Sequence, residues 1–239
     1  MKIEILYPEI CTLYGDKGNT MYLQKCLPDA EFVTTGLNEK PLFLKENIDM
    51  VYMCSMSEKS QELVLDRLMQ YKDEIAACMK DGKALFLLVG NSMELLGDYI
   101  KREDGTRVTG LGVVPGMYSV RQTPNRFNTL IKAKFNDMTL IGYTSRFAHT
   151  YGIPDDMTFC KVEIGQGSNP DTMNEGICKN RVIATYIHGP LLIQNPDFVH
   201  YLLEKLDAPM KEIPFEAAMR KAYAVSYTHL RAHETRGNL

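Results

Sequence analysis

The sequence has no surplus of basic residues. Its 27 lysines and arginines stand against 30 aspartates and glutamates, a formal net charge of −3. A nucleic-acid-coating surface needs a cationic excess, so that class of function is argued against. Long apolar runs are missing too. Ala84–Val89 is far too short to span a bilayer, and Met1-Lys2-Ile3-Glu4 carries no signal-peptide pattern. The expectation is a cytoplasmic protein without membrane insertion. Among the six cysteines (Cys11, Cys26, Cys54, Cys78, Cys160, Cys178) there is no Cys-x-x-Cys spacing and no partnering histidine cluster. They read as reduced, mostly buried thiols, and no metal site is expected. Repeats, low-complexity segments and dividing linkers are likewise absent.

What remains is an ordinary globular composition, 45% hydrophobic and 24% charged over 239 residues. The first two-thirds alternate strand and helix signals. Strands are expected at Lys2–Tyr7, Glu31–Thr34, Ile48–Met53 and Ala84–Val89, with a loop at Tyr14–Asn19 and a helix over Thr20–Leu27. Val64, Leu68, Tyr71, Ile75 and Met79 recur at helical spacing, which predicts one long helix from Ser57 to Met79. Ser57 suits its N-cap, and Asp81-Gly82 its stop. The near-continuous apolar run Ala84–Val89 suits a parallel strand covered on both faces, and a further helix is expected over Asn91–Ile100. Beyond Thr106, short strands at Gly112–Val114, Met117–Arg121, Thr129–Phe135, Thr139–Tyr143 and Thr158–Ile164 suggest antiparallel additions at one end of the sheet. Val182–Ile187 reads as another apolar strand, followed by helices near Pro196–Leu206 and Pro214–Tyr223. The fold class is α/β, in one domain over residues 1–224.

The final stretch is read separately. Val225–Thr235 resembles the conceptual translation of a transposase adapter used in sequencing libraries, so residues 225–239 are expected to be a non-native tail. A genuine solvated polar tail is the plainer alternative. Setting the segment aside removes His229 and His233 from the candidate ligands and leaves His149, His188 and His200.

Three places could carry chemistry. In "TYIHGP" (Thr185–Pro190), His188 leaves an apolar strand at the sheet edge where open α/β sheets place their sites. By itself it also reads as a loop histidine satisfied by its neighbours. In "LFLLVGNSMELLG" (Leu85–Gly97), a strand runs into a sharp turn of the kind that holds a nucleophile, yet the tip is Gly90. Ser92 completes only the first half of Gly-x-Ser-x-Gly and would more naturally cap the following helix. The loop "YGDKGN" flanks Asp16 and Lys17 with glycines, but its spacing is not that of a phosphate loop, and it reads as well as a tight turn.

Several segments, in order, carry a family resemblance: "LYPEICTLYGDKGN", "GDYIKREDGTRVTGLGVV", "TPNRFNTLI", "GICKNRVIATYIHGPLLIQNP" and "YLLEKLD". They resemble the GatD-type class I glutamine amidotransferases, the glutaminase subunits of lipid II isoglutaminyl synthase, which are related to the cobyric acid synthase (CobB/CobQ) type. The resemblance implies a flavodoxin-like, mostly parallel sheet with helices on both faces. It implies a cysteine nucleophile at the elbow and His188 as its base, with ammonia passed to a MurT-like Mur ligase partner in a heterodimer. That partner alone would use ATP and Mg, and no cofactor is expected on this chain. The product would be the amidated D-glutamate of lipid II, in peptidoglycan synthesis.

Residue by residue, the resemblance breaks at the reacting centre. The family's elbow cysteine falls on Gly90, and its glutamine on Glu94. The glycine-rich loop that helps hold oxyanion and glutamine falls on Cys54, Ser55 and Met56, whose β-carbons would crowd the substrate. "GYTSRFAHT" departs from the family's Glu-Asn-His-type segment. His188 is kept, and Arg126 matches the arginine that contacts glutamine. Losing such a nucleophile costs on the order of 10⁶ in rate. The leading expectation is therefore a degenerate amidotransferase that still docks its partner. One alternative is a hydrolase whose nucleophile has moved to Cys54 or Ser92. Another is a regulatory module that binds glutamine or glutamate through Arg126.

Overall fold

The computed structural model describes residues 1–236. The chain opens with β1 (Lys2–Leu6), α1 (Lys17–Cys26), β2 (Glu31–Thr35), β3 (Met50–Met53), α2 (Glu58–Met69), α3 (Lys72–Asp81) and β4 (Leu85–Val89). Shorter strands follow: β5 (Tyr99–Lys101), β6 (Arg107–Thr109), β7 (Tyr118–Arg121), β8 (Phe127–Phe135), β9 (Met138–Arg146) and β10 (Ala148–Tyr151). The remainder comprises β11 (Thr158–Ile164), β12 (Asn174–Lys179), β13 (Val182–Thr185), α4 (Leu191–Gln194), α5 (Pro196–Lys205) and α6 (Glu216–Arg236).

One sheet has nine strands in the order β2-β1-β3-β4-β13-β12-β11-β8-β9. The first five are parallel and the last four join antiparallel. β3, β4 and β13 are buried along their whole length, as apolar strands covered on both faces should be. The α/β class with antiparallel additions is what the apolar runs foretold. A separate four-stranded sheet, β10-β7-β5-β6, was not foreseen. No helix among the described residues is long and apolar enough to cross a membrane.

Three expected elements differ, each because tertiary contacts override local pattern. The long helix over Ser57–Met79 is two helices. Tyr71 leaves helical geometry (φ −116°, ψ 14°), and its N–H closes a tight turn onto Leu68. Val64, Leu68, Ile75 and Met79 still all face the core. Ser57 caps α2 by accepting from the Ser60 N–H, and α3 stops at Gly82 in the left-handed region (φ +67°). The helix expected over Asn91–Ile100 is a 3₁₀ turn, Gly90–Leu96, running into β5. The carbonyls of Leu95, Leu96 and Gly97 accept from the backbones of Leu111, Val114 and Gly112, so an α-helix cannot continue. For the same reason Gly112–Val114 is a loop rather than a strand.

The segment expected to be a separate tail continues α6 without a break. Tyr227 stacks on Tyr223 at 6.0 Å and lies under the Lys132 ammonium. Residues 237–239 of that segment lie outside the described residues. All six cysteines are free thiols, four of them buried.

The second sheet is bolted to α2 through ions. The Arg121 guanidinium is buried and donates to Glu62 at 2.6 Å and Gln61 at 2.7 Å, while Arg102 reaches the other Glu62 oxygen at 2.8 Å. The hydrogen bonds from Arg102, then those from Arg121, hold the Glu62 carboxyl down to about 2, against an ordinary value of 4.5. Its stabilisation is complete above about pH 4.5 and is lost as pH falls toward 2. Glu62→Gln should lower unfolding stability by about 1.5–3 kcal/mol at neutral pH. It should also flatten the fall in stability between pH 4.5 and 2, read by denaturant titration at each pH.

Candidate functional site

Four adjacent parallel strands each deliver one residue to the same point. Asp16 follows β1, Ser55 follows β3, Gly90 follows β4 and His188 follows β13. This is the carboxyl edge of the sheet, beside the place where the strand order reverses around β1, the usual site of chemistry in open α/β sheets.

β4 ends extended at Val89, and Gly90 then turns with φ +72°. That is elbow geometry, strained for any residue with a side chain. A β-carbon on Gly90 would lie 1.9 Å from Ser55 Oγ and 2.6 Å from His188 Cε1. The Ser55 hydroxyl therefore occupies the space into which an elbow side chain would project.

Asp16 is fully buried at the start of α1, and its side chain does not cap that helix. Its backbone is held by Tyr52, whose hydroxyl donates to Asp16 O at 2.9 Å and accepts from Asn19 at 3.0 Å. Asn19 also accepts from the Leu192 N–H at 3.0 Å, which ties the loop after β1 to the segment after His188. His188 exchanges backbone hydrogen bonds with Tyr143, and its ring packs against Tyr14 at 4.7 Å.

Asp16 Oδ2 lies 3.0 Å from His188 Nδ1 and 3.0 Å from Ser55 Oγ, and Ser55 Oγ is 3.3 Å from the same His188 nitrogen. A carboxylate only accepts, so both neighbours donate to it. The network assigns a proton to Nδ1. The Ser55 proton points at Asp16, and the histidine nitrogen nearest Ser55 already carries a proton. This differs from a hydrolytic triad, in which histidine takes the serine proton on one nitrogen and is oriented through the other.

The neighbouring loop is stitched shut. Asn91 accepts from the Met56 N–H at 3.0 Å and donates to the Met56 carbonyl at 2.7 Å, and Gln61 donates to the Asn91 carbonyl at 2.7 Å. The Met56 backbone donor is thus engaged inside the protein. Cys54, Ser55 and Met56 are all buried.

The other residues singled out from sequence stand apart from the His188 ring. The Cys54 thiol donates to the Cys11 carbonyl, and burial pushes its ionisation well above the ordinary thiol value. That is the opposite of an activated nucleophile. Ser92 is fully buried and bonds back to the Val89 carbonyl at 2.8 Å, where it caps nothing because Val89 holds the N-cap position. Arg126 is exposed, with its guanidinium over the Phe147 ring at 4.6 Å. The buried arginine of this region is Arg146, over the Tyr186 ring at 4.4 Å, whose Nε and Nη1 have no hydrogen-bond partner among the described residues. Glu94 accepts from Tyr186 at 2.9 Å and Gln61 at 3.0 Å, and burial raises its carboxyl.

Asp16 is the residue that sequence reasoning passed over as part of a turn. Its signal was position: it follows the first strand, at the same sheet edge as His188. If Ser55 holds the elbow's space, Gly90→Cys alone should destabilise the fold by about 2–4 kcal/mol, from overpacking plus a side chain at positive φ. Adding Ser55→Gly should recover much of that loss, giving a coupling of about 1–3 kcal/mol in a denaturant double-mutant cycle.

Residues 2–196 match the CobB/CobQ-like glutamine amidotransferase domain. The chain is 27% identical over 207 residues to the lipid II isoglutaminyl synthase (glutamine-hydrolyzing) subunit GatD of Streptococcus pneumoniae, covering 85% of this chain and 79% of that one. It is 28% identical over 206 residues to the Staphylococcus aureus subunit of the same name, covering 85% and 83%. A glutamine amidotransferase structure from Thermotoga maritima superposes with a TM-score of 0.54 over 95% of this chain and 92% of that one, at 13% identity, and shares its fold. With an elbow at the end of β4, a histidine after β13 and a domain match over most of its length, this chain belongs to the CobB/CobQ-like glutamine amidotransferase family.

Proposed function

We propose that this chain is a GatD-like subunit of a lipid II amidating complex whose own glutaminase centre is silent. It docks to a MurT-like Mur ligase, which amidates the D-glutamate of lipid II with ATP and Mg and takes its nitrogen as free ammonia. The pathway is suggested by the GatD relatives, and the setting would be cytoplasmic. The observation that carries the silence is the elbow: Gly90 has no nucleophile, and the Ser55 hydroxyl fills the space where one would stand.

Glutaminase chemistry needs a thiolate that attacks the side-chain amide and donors for the resulting oxyanion. Removing the nucleophile costs on the order of 10⁶ in rate, about 8 kcal/mol of barrier. Engaging the Met56 N–H removes a further candidate donor, and one such donor is worth roughly 10²–10³. The moved-nucleophile readings gain nothing from geometry, because Cys54 is held un-ionised and Ser92 is turned back onto its own strand. Arg126, exposed on Phe147, gives no support to a buried carboxylate site.

The test is a purified complex with its ligase, assayed with glutamine and with ammonium salts. Ligase turnover should follow ammonium and show no glutamine-dependent rate above background. Glutamine hydrolysis at a rate typical of active glutaminases would overturn the reading.

A further inference from the structure

The four-stranded sheet carries a feature the silent centre does not use. Tyr99, Tyr118 and Tyr151 sit opposite one another on three neighbouring strands, β5, β7 and β10. Their rings stack at 5.2 Å and 14°, then 5.4 Å and 16°. Arg107, on the edge strand β6, closes the row with its guanidinium 4.0 Å from the Tyr99 ring. Alternation along each strand explains the arrangement: Ile100, Ser119 and Thr150 point inward and are buried, so their neighbours point outward. The rings are half-buried, Arg107 and Lys101 are exposed, and none of the three phenol hydroxyls is hydrogen-bonded within the described residues.

The strand residues of this face carry charge opposite to that of the chain. No strand residue of the four-stranded sheet is acidic, although the whole chain carries −3. Arg121 is consumed by Glu62 on the inner side, which leaves Lys101 and Arg107 outward. Carboxylates lie only around the rim. Asp104 is tied to Thr106 in its own loop, Glu103 accepts from the Thr123 N–H in the loop after β7, and Asp155 and Asp171 share the cleft beside Tyr151. Tyrosine and arginine are the residues that most often anchor protein interfaces, since they bring large rigid area and a polar end at low entropic cost. The rings also stack on one another and so present edges and hydroxyls outward, which favours an extended protein surface over a ring-shaped ligand laid face-on.

We propose that the outer face of this sheet, Tyr99, Tyr118, Tyr151, Lys101 and Arg107, seats the ligase subunit through a surface that carries carboxylates among apolar side chains. This rests on the reading that the chain works as a subunit beside a ligase. The inner face of the same sheet reaches the elbow segment through Ser119, Thr150 and Tyr186, hydrogen-bonded in sequence at 2.8 and 2.6 Å and ending on Glu94. A partner on the outer face would therefore sit one sheet thickness from the former catalytic turn.

The test measures binding of the purified ligase subunit to four forms of this chain by calorimetry at low and high salt. The forms are wild type, Lys101→Glu/Arg107→Glu, Tyr118→Ser, and Phe215→Ser in the separate apolar groove between α1 and α6. The charge reversal should weaken binding about 10–100-fold at low salt and invert its salt dependence, so that added salt weakens wild-type binding and strengthens the variant's; Tyr118→Ser should weaken binding about tenfold, and Phe215→Ser should leave it within about twofold. The reversed side chains are exposed, so that variant keeps its thermal melt, which also checks Tyr118→Ser. Wild-type binding that the ladder variants match, or that only Phe215→Ser disrupts, overturns this proposal alone. No binding by wild type overturns the subunit reading and this proposal with it.

Discussion

One carboxylate oxygen, Asp16 Oδ2, takes hydrogen bonds from both His188 and Ser55, and the ends of four parallel strands are arranged around it. A fully buried carboxylate is costly unless donors reach it. Here the donors come from the loops after β3 and β13 and reach one of its two oxygens, so this buried carboxyl depends on those loops being in register with the loop after β1. Tyr52 and Asn19 add backbone ties to the same loop, and Asn19 carries the connection on to α4. The carboxyl edge of the sheet is thereby a single hydrogen-bonded unit.

That unit explains why Gly90 and Ser55 occur together. A side chain on Gly90 and the Ser55 side chain cannot share one volume. With glycine at the tip, a serine in the loop fills the gap and joins the buried network, and Asn91 then closes the Met56 backbone onto the elbow. The result is a tightly packed turn, in which Asp16 Oδ2 is doubly hydrogen-bonded while Asp16 Oδ1 is buried with no partner among the described residues. Stability and catalysis oppose each other at such sites, and this arrangement lies on the side of stability.

Much of the architecture was legible in the sequence. The apolar runs at Lys2–Tyr7, Ile48–Met53 and Ala84–Val89 became parallel strands, Ser57 and Gly82 bounded the α2–α3 pair, and Gly90 marked a strained turn. The second sheet was not legible, because β5 and β6 are three residues long and too short for a period-two pattern to register. The 3₁₀ turn after Gly90 was hidden for another reason: distant backbone donors from the 111–114 loop decide its geometry. At the site, the positions of His188 after an apolar strand and of Gly90 at a sharp turn could be read along the chain. The convergence of Asp16 and Ser55 could not, since it depends on strand order, with β1 beside β3 and β13 beside β4. Where the Arg126 guanidinium lies, out on the Phe147 ring, could not be read from its motif.

The most direct test of a silent centre is covalent. The complex is incubated with a glutamine-analogue electrophile, and its intact mass and peptide masses are read. The account predicts an unmodified chain, with Ser55, Cys54 and Ser92 all unlabelled under conditions that saturate an active glutaminase. A stoichiometric adduct on any of the three would show a working nucleophile and contradict it.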